Sequence, residues 1–261
     1  MSFVNRIKGQ TALITGASAG IGEACARALA AMDVNLILLA RRKDRLDSLA
    51  QELRRSHGVD VMTRELDVRD REAVRSLAAE LDVDGPFPHI LVNNAGLVRG
   101  RDPVQEGSLE EWDEVIDTNV KGVLAFTRLF LPGMIARNRG HVLNLGSIAG
   151  DWVYPGGNVY NATKFAVKAL TEATNLDVLG TPIRISSVDP GLVETEFSVV
   201  RFRGDEDQAA KVYEGLTPLT GHDVAEAMCW MLNAPPHMNV FRVVLLPTHQ
   251  RNAYLVQRED P

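Results

Sequence analysis

The chain reads as an α/β protein built on one doubly wound, seven-stranded parallel sheet with helices on both faces. Three observations predict that class. Short β-rich runs alternate with longer amphipathic segments, the pattern of βαβ units. The first run closes on a glycine-rich turn that leads straight into a helical pattern. The length, 261 residues with 45% hydrophobic, suffices for one large core, and no repeat, low-complexity tract or Pro/Ser-rich linker divides it. The expectation is therefore a single domain over residues 1–261.

Taken in order, the apolar runs place strands near residues 10–15, 34–40, 59–65, 89–93, 140–146, 183–189 and 240–246. Between and after them, a period of 3.6 residues predicts helices near 20–31, 43–56, 70–82, 109–137, 158–179 and 221–233. The segment 109–137 is long for one helix, and Pro132 is expected to bend it or to fall near its last turns. After the sixth strand, which ends at Asp189-Pro190-Gly191, the stretch 192–215 carries charges of both signs and little strand signal. It follows a strand end, where open α/β sheets place their ligand crevice, so it is a candidate substrate lid as well as a plain charged surface segment. Residues 248–261 form a C-terminal tail for which two outcomes stay open, packing on a neighbouring subunit or a loose end.

Composition narrows the partners. A formal charge of -6 and a pI near 5.6 argue against a nucleic-acid or anionic-membrane surface, since both need clustered positive charge, and favour a small-molecule partner. Cys25 and Cys229 lie far apart in helical patterns and read as buried hydrophobes in a reducing compartment. No charged-then-apolar leader and no membrane-length apolar run is seen, so a cytoplasmic location is expected. The six histidines are scattered without metal-ligand spacing, and no metal is expected.

The first strand ends in Thr15-Gly16-Ala17-Ser18-Ala19-Gly20-Ile21-Gly22. Glycines at these points let the backbone turn tightly and approach a pyrophosphate held by amide N–H groups at a helix start. The spacing is one residue longer than Gly-x-Gly-x-x-Gly, and the strand-loop-helix context is what favours a dinucleotide over a structural turn. An enzyme using NAD would carry an acid about twenty residues further on, to hold the ribose 2′-hydroxyl. Ala40-Arg41-Arg42 stands there instead, which favours the 2′-phosphate of NADP, with the Ser18 hydroxyl as a further donor. Asp67, in Leu66-Asp67-Val68, is placed to receive the adenine amino group or to cap a helix.

Tyr160 and Lys164 share one helix face, four residues apart, and Ser147 precedes the tyrosine by thirteen. An unaided tyrosine, with a pKa of about 10, is a poor base at neutral pH, but a neighbouring cation favours its phenolate. With a hydroxyl aimed at the same point, the pair makes a proton shuttle for an alcohol or carbonyl oxygen.

With Asn93-Asn94-Ala95-Gly96 closing the fourth strand, Asn119, Ser147, Tyr160, Lys164 and Pro190-Gly191 followed by Thr195, residues 10–195 resemble the short-chain dehydrogenase/reductase family. The resemblance implies a Rossmann-type catalytic domain in which Asn119, Ser147, Tyr160 and Lys164 form a catalytic tetrad. The serine would orient the substrate oxygen and the tyrosine transfer its proton. The lysine would lower the tyrosine pKa and hold the nicotinamide ribose, and the asparagine would hold a water linking the lysine to solvent. The cofactor set so implied comprises Gly16, Ser18, Ala19, Gly20, Ile21, Gly22, Arg41, Arg42, Asp67, Val68, Asn93, Ala95, Gly96, Tyr160, Lys164, Pro190, Gly191, Val193 and Thr195.

A narrower resemblance, in Trp152 to Tyr160, Pro190 to Ser198, Val200 to Asp205 and Phe241 to Gln250, points to the NADP-dependent 3-hydroxy acid dehydrogenase branch, whose members oxidise serine, allo-threonine and related acids and are usually homotetramers. A 3-hydroxy acid needs its carboxylate recognised, and Arg201 and Arg203 are the candidate forks, although each could equally pair Glu194, Glu196 or Asp205. Substrate would then meet Ser147, Tyr160 and Arg201. The rival readings are an NADP-dependent reductase of neutral ketones or aldehydes and, more remotely, a catalytically silent nucleotide sensor.

Overall fold

In a computed structural model, which describes residues 4–259, seven parallel strands form one sheet in the order β3-β2-β1-β4-β5-β6-β9. They are β1 (Thr11–Thr15), β2 (Asn35–Ala40), β3 (Val61–Glu65), β4 (Ile90–Asn93), β5 (His141–Leu145), β6 (Arg184–Pro190) and β9 (Arg242–Leu245). Each lies within two residues of the run that predicts it. Period-2 alternation splits their side chains between two cores: Ala12, Ile14, Leu36 and Leu38 face one way, Leu13, Ile37 and Leu39 the other. The first core is covered by α1 (Gly20–Ala30), α2 (Lys43–His57) and α9 (Gly221–Leu232), and the second by α3 (Arg71–Val83) and α5 (Val123–Ala136). Helix α6 (Asn158–Asp177) runs beside β6. Cys25 and Cys229 are free thiols buried in the first core.

The order reverses at β1, whose neighbours are β2 and β4, and ligands of open α/β sheets bind at such a switch point beyond the strands' carboxyl ends. Thr15, Ala40, Asn93, Leu145 and Pro190 mark that end here.

The long segment 109–137 is three pieces. Helix α4 (Leu109–Ile116) passes into a π-helical turn, Asp117–Gly122, and then into α5. The wider turn interrupts the ordinary ladder at Asn119, a local irregularity of the kind found at functional sites. Pro132 lies within the last turns of α5, which continues to Ala136.

The stretch 192–215 holds more order than its composition suggests: β7 (Val193–Glu194), α7 (Glu196–Arg201) and α8 (Glu206–Lys211), with β7 paired to β8 (Leu219–Thr220). The tail from Thr248 folds back onto this stretch of its own chain. Arg258 donates to the carbonyls of Val212 and Glu214, and the Glu259 N–H donates to Gly215. Asp260 and Pro261, like Met1–Phe3, lie outside the described residues.

Candidate active site

A groove of about 970 Å³ runs across the carboxyl ends of β1, β2, β4, β5 and β6, roofed by α7, α8 and part of the tail. At one end the phosphate loop enters α1. Gly16 has φ 68°, and a Cβ there would lie 2.9 Å from Ala95 Cα, so only glycine fits. Gly22 is not in the groove wall. It lies behind it, where a side chain would strike the Asn94 amide and the Gly16 carbonyl. Asn94 clasps the loop to β4, its amide donating to the Thr15 carbonyl at 2.8 Å.

Arg41 and Arg42 both line the groove but face different partners. The Arg42 Nε donates to Ser18 Oγ at 3.2 Å, which joins the two groups expected at a 2′-phosphate. Arg41 turns toward Glu114, 3.9 Å away. Asp67 and Val68 line the same wall, with the Asp67 carboxyl held below its usual range by Arg69. Ala19, Gly20, Ile21, Ala95 and Gly96 complete this half of the groove, and Gly191, Val193 and Thr195 close it from the β7 side. The residues present therefore fit a dinucleotide carrying an extra phosphate. Asn93 does not reach the groove: its amide donates to Asn144 Oδ1 at 2.9 Å and to Thr127 Oγ1 at 3.2 Å, tying β4 to β5 and α5.

At the other end, Ser147 sits two residues past β5 and caps a short 3-10 turn, its Oγ accepting from the Ala149 N–H at 3.1 Å. Tyr160 and Lys164 project from the first two turns of α6 into the same space, and both are buried. The Lys164 ammonium donates to the Leu145 carbonyl at 2.8 Å and lies 5.7 Å from the Tyr160 ring centre. Burial pushes it down to about 8, opposed by Asp189. Burial also pushes the Tyr160 phenol well up. The groups that oppose this are the Arg201 guanidinium and the Ser147 hydroxyl. Asn119 stands outside the groove wall. Its amide donates to the Leu97 carbonyl at 2.8 Å and to Thr163 Oγ1 at 3.1 Å, so it braces the turn of α6 that carries Lys164.

The stretch 192–215 brings one arginine into the groove and leaves another at the surface. Arg201 is enclosed by rings, its guanidinium 5.6 Å from the Tyr160 centre, 5.6 Å from Phe197 and 5.9 Å from Tyr154. One terminal nitrogen donates to the Tyr154 hydroxyl at 2.9 Å, while its Nε is buried with no partner among the described residues. None of the three acids considered as its partner takes it: Glu196 pairs Arg42 and Arg45, Asp205 caps α8, and Glu194 forms no ion pair among the described residues. Arg203 is instead a surface residue on Glu111 at 2.7 Å and Asp102 at 3.3 Å. Tyr154, Phe197, Tyr213, Gln250 and Arg258 also line the groove without having been singled out. Nothing local marks them, because a loop and a tail bring them there. Tyr154, Phe197 and Gln250 stood inside the segments that carry the narrower resemblance, whereas Tyr213 and Arg258 lay outside every motif.

The chain is 45% identical over 244 residues, 93% of its length and 97% of the other, to the NADP-dependent 3-hydroxy acid dehydrogenase YdfG of Salmonella typhi. It is 43% identical over 249 residues, 95% of its length and 98% of the other, to sulfoacetaldehyde reductase 2 of Chromohalobacter salexigens. Among solved structures, the closed form of a serine dehydrogenase complexed with NADP+ superposes with a TM-score of 0.88 at 42% identity, covering 96% of this chain and 100% of that one. Residues 10–205 match the family description of short chain dehydrogenases, and the chain belongs to that family.

Proposed function

We propose that the chain is an NADP-dependent dehydrogenase of small 3-hydroxy acids, or of the matching semialdehydes in reverse. The observation that carries this reading is Arg201, a half-buried arginine whose buried Nε is uncommitted among the described residues, in the same groove as Tyr160. An arginine fork pairs a carboxylate with two hydrogen bonds, and an apolar surround strengthens the pair. The compounds in the names of these proteins, a 3-hydroxy acid, serine and sulfoacetaldehyde, all carry an acidic head group one carbon removed from the reacting carbon, which suits such a receptor.

The glycine loop would hold the pyrophosphate, Arg42 and Ser18 the 2′-phosphate, Asp67 and Val68 the adenine end, and Lys164 the nicotinamide ribose. When bound, NADP supplies the hydride acceptor or donor. In oxidation Tyr160 takes the proton from the substrate hydroxyl, and in reduction it returns one to the carbonyl oxygen. Ser147 donates a hydrogen bond to the same oxygen, where charge develops. Arg201 fixes the substrate's acidic end, which sets the distance from that end to the reacting carbon. Asn119 positions the Lys164 turn.

Residues 192–215 serve as the substrate lid on a single catalytic domain, with the tail from 248 as its outer layer. The protein works in the cytoplasm as a homotetramer. The exposed Leu124, Phe165, Leu176 and Leu179 on α5, α6 and the turn that follows, and Trp230 and Val244 on α9 and β9, supply apolar surface for subunit contacts. Light scattering coupled to gel filtration should report four chains.

Replacing Arg201 tests the reading. Arg201→Met should raise KM for serine or 3-hydroxypropionate about tenfold to a hundredfold, the worth of a charge-assisted pair, and leave KM for an uncharged alcohol within a few-fold. Equal effects on both substrates would remove Arg201 as the acid receptor.

A further inference from the structure

The connection from β2 to α2, Arg41-Arg42, holds no acid, but the fold supplies one from the lid. Glu196, the first residue of α7, reaches back across the groove to the arginines at the cofactor end. Its two carboxylate oxygens are divided between two guanidiniums: one lies 2.8 Å from Arg42, the other 2.6 Å from Arg45 on α2. Arg42 is the residue whose Nε also meets Ser18 Oγ. The neighbouring Thr195 lies over the phosphate loop, where a Cβ on Gly20 would come within 3.3 Å of it. The start of the lid and the cofactor-selecting arginine are thus one connected piece of structure.

We infer that Glu196 is an internal competitor for the cofactor's 2′-phosphate, and that it moderates the enzyme's preference for NADP over NAD. The inference rests on Arg42 as the 2′-phosphate ligand. A guanidinium already paired with a carboxylate is partly neutralised, and a phosphate monoester, near −2 at neutral pH, must displace that carboxylate or stand beside it at a cost in repulsion. Arg45 gives the displaced carboxylate somewhere to remain, so Arg42 can change partner while the lid stays tethered to α2. NAD meets the same acid differently. Its ribose 2′-hydroxyl is a donor, and a carboxylate near the end of β2 is the group that NAD-binding folds use to accept from it. One side chain therefore weakens NADP binding and leaves NAD binding unharmed or improved. A fully exposed surface pair would matter little, but this one lies at the groove, where the phosphate meets the same guanidinium.

Equilibrium dissociation constants for NADP+ and NAD+, measured by titration without substrate, test the inference on four variants. Glu196→Gln and Glu196→Ala should each bind NADP+ about three- to tenfold more tightly, the scale of losing one charged competitor, with NAD+ unchanged or weaker. Glu194→Gln, two residues away and without an arginine partner, should change neither. In an Arg42→Gln background the gain from Glu196→Gln should largely vanish, because the pair is gone. Weaker NADP+ binding by both Glu196 variants, or equal tightening of both nucleotides, would overturn the competition. Unchanged NADP+ binding in Arg42→Gln alone would instead remove Arg42 as the phosphate ligand, a separate failure. Glu196 is about half-exposed, so the variants should fold, and a thermal melt of each confirms it.

Discussion

Tyr160 and Lys164 are stabilised in the wrong protonation states for an easy base, and the way each is offset differs. The phenol is held above its ordinary range by burial, with Arg201 and Ser147 opposing that shift. In the oxidative direction kcat/KM should therefore keep rising into alkaline pH as Tyr160 loses its proton. Tyr160→Phe should retain NADP binding and lose turnover by about 10²- to 10⁴-fold, the usual worth of a positioned acid or base; retained activity within a few-fold would end its assignment. Lys164 carries a cost in stability. Its fall from an ordinary 10.5 to about 8 corresponds to roughly 3 kcal/mol at neutral pH. Because the folded pKa is the depressed one, that penalty is full below pH 8 and fades as pH rises toward 10.5, where the unfolded chain also gives up its proton. Lys164→Met should thus be more stable than the parent at pH 7 by a few kcal/mol, less so at pH 10, and inactive at both. Chemical denaturation at the two pH values checks this, and a variant less stable at pH 7 would show that the Leu145 hydrogen bond outweighs the burial.

At the scale of elements, the edge strand β9 is fastened by charge. Arg242 bridges Asp189 on β6 and Asp151 after the Ser147 turn, and Asp189 is only 3% exposed. Gly146, just before Ser147, leaves no room for a side chain against the Asp189 carboxylate. Arg242→Met would leave that carboxylate buried without its cation, a change of about 3–5 kcal/mol, and adding Asp189→Asn should restore part of the loss. A single variant as stable as the parent in urea unfolding would show that solvent or the nearby Lys164 already compensates. The strands and main helices were legible because burial on both faces of a parallel sheet leaves long apolar runs, and helices leave a 3.6-residue period. The π-helical turn at Asn119 was not. Within it Asn119 bonds the Leu97 backbone and Thr163 at once, tertiary contacts that impose no local pattern. The short elements of the lid escaped for the same reason, since β7 is two residues long and needs β8 to define it.

For the molecule as a whole, the two ends of the groove were unequally readable. The phosphate loop, the arginines after β2 and the Tyr160–Lys164 pair are local signals, each compressed into fewer than ten residues. The Arg201 enclosure, Glu196 and the tail's hold on the lid depend on segments that meet only when the sheet closes, as Arg42 and Glu196 do across 154 positions. The proposed specificity rests on that second group, so the reaction class was readable from motifs while the proposed choice of substrate needed the fold. The same division predicts where substitutions act: loop and tetrad changes should remove activity on every substrate, and lid changes should redistribute it. The most direct test of the account is kcat/KM of the unaltered enzyme with NADP+ for L-serine and 3-hydroxypropionate against uncharged secondary alcohols of similar size. The account predicts a preference for the acids of at least about tenfold, the contribution of one charge-assisted pair at Arg201. Equal or better use of the uncharged alcohols would contradict it, and would leave a short-chain dehydrogenase whose groove serves neutral substrates.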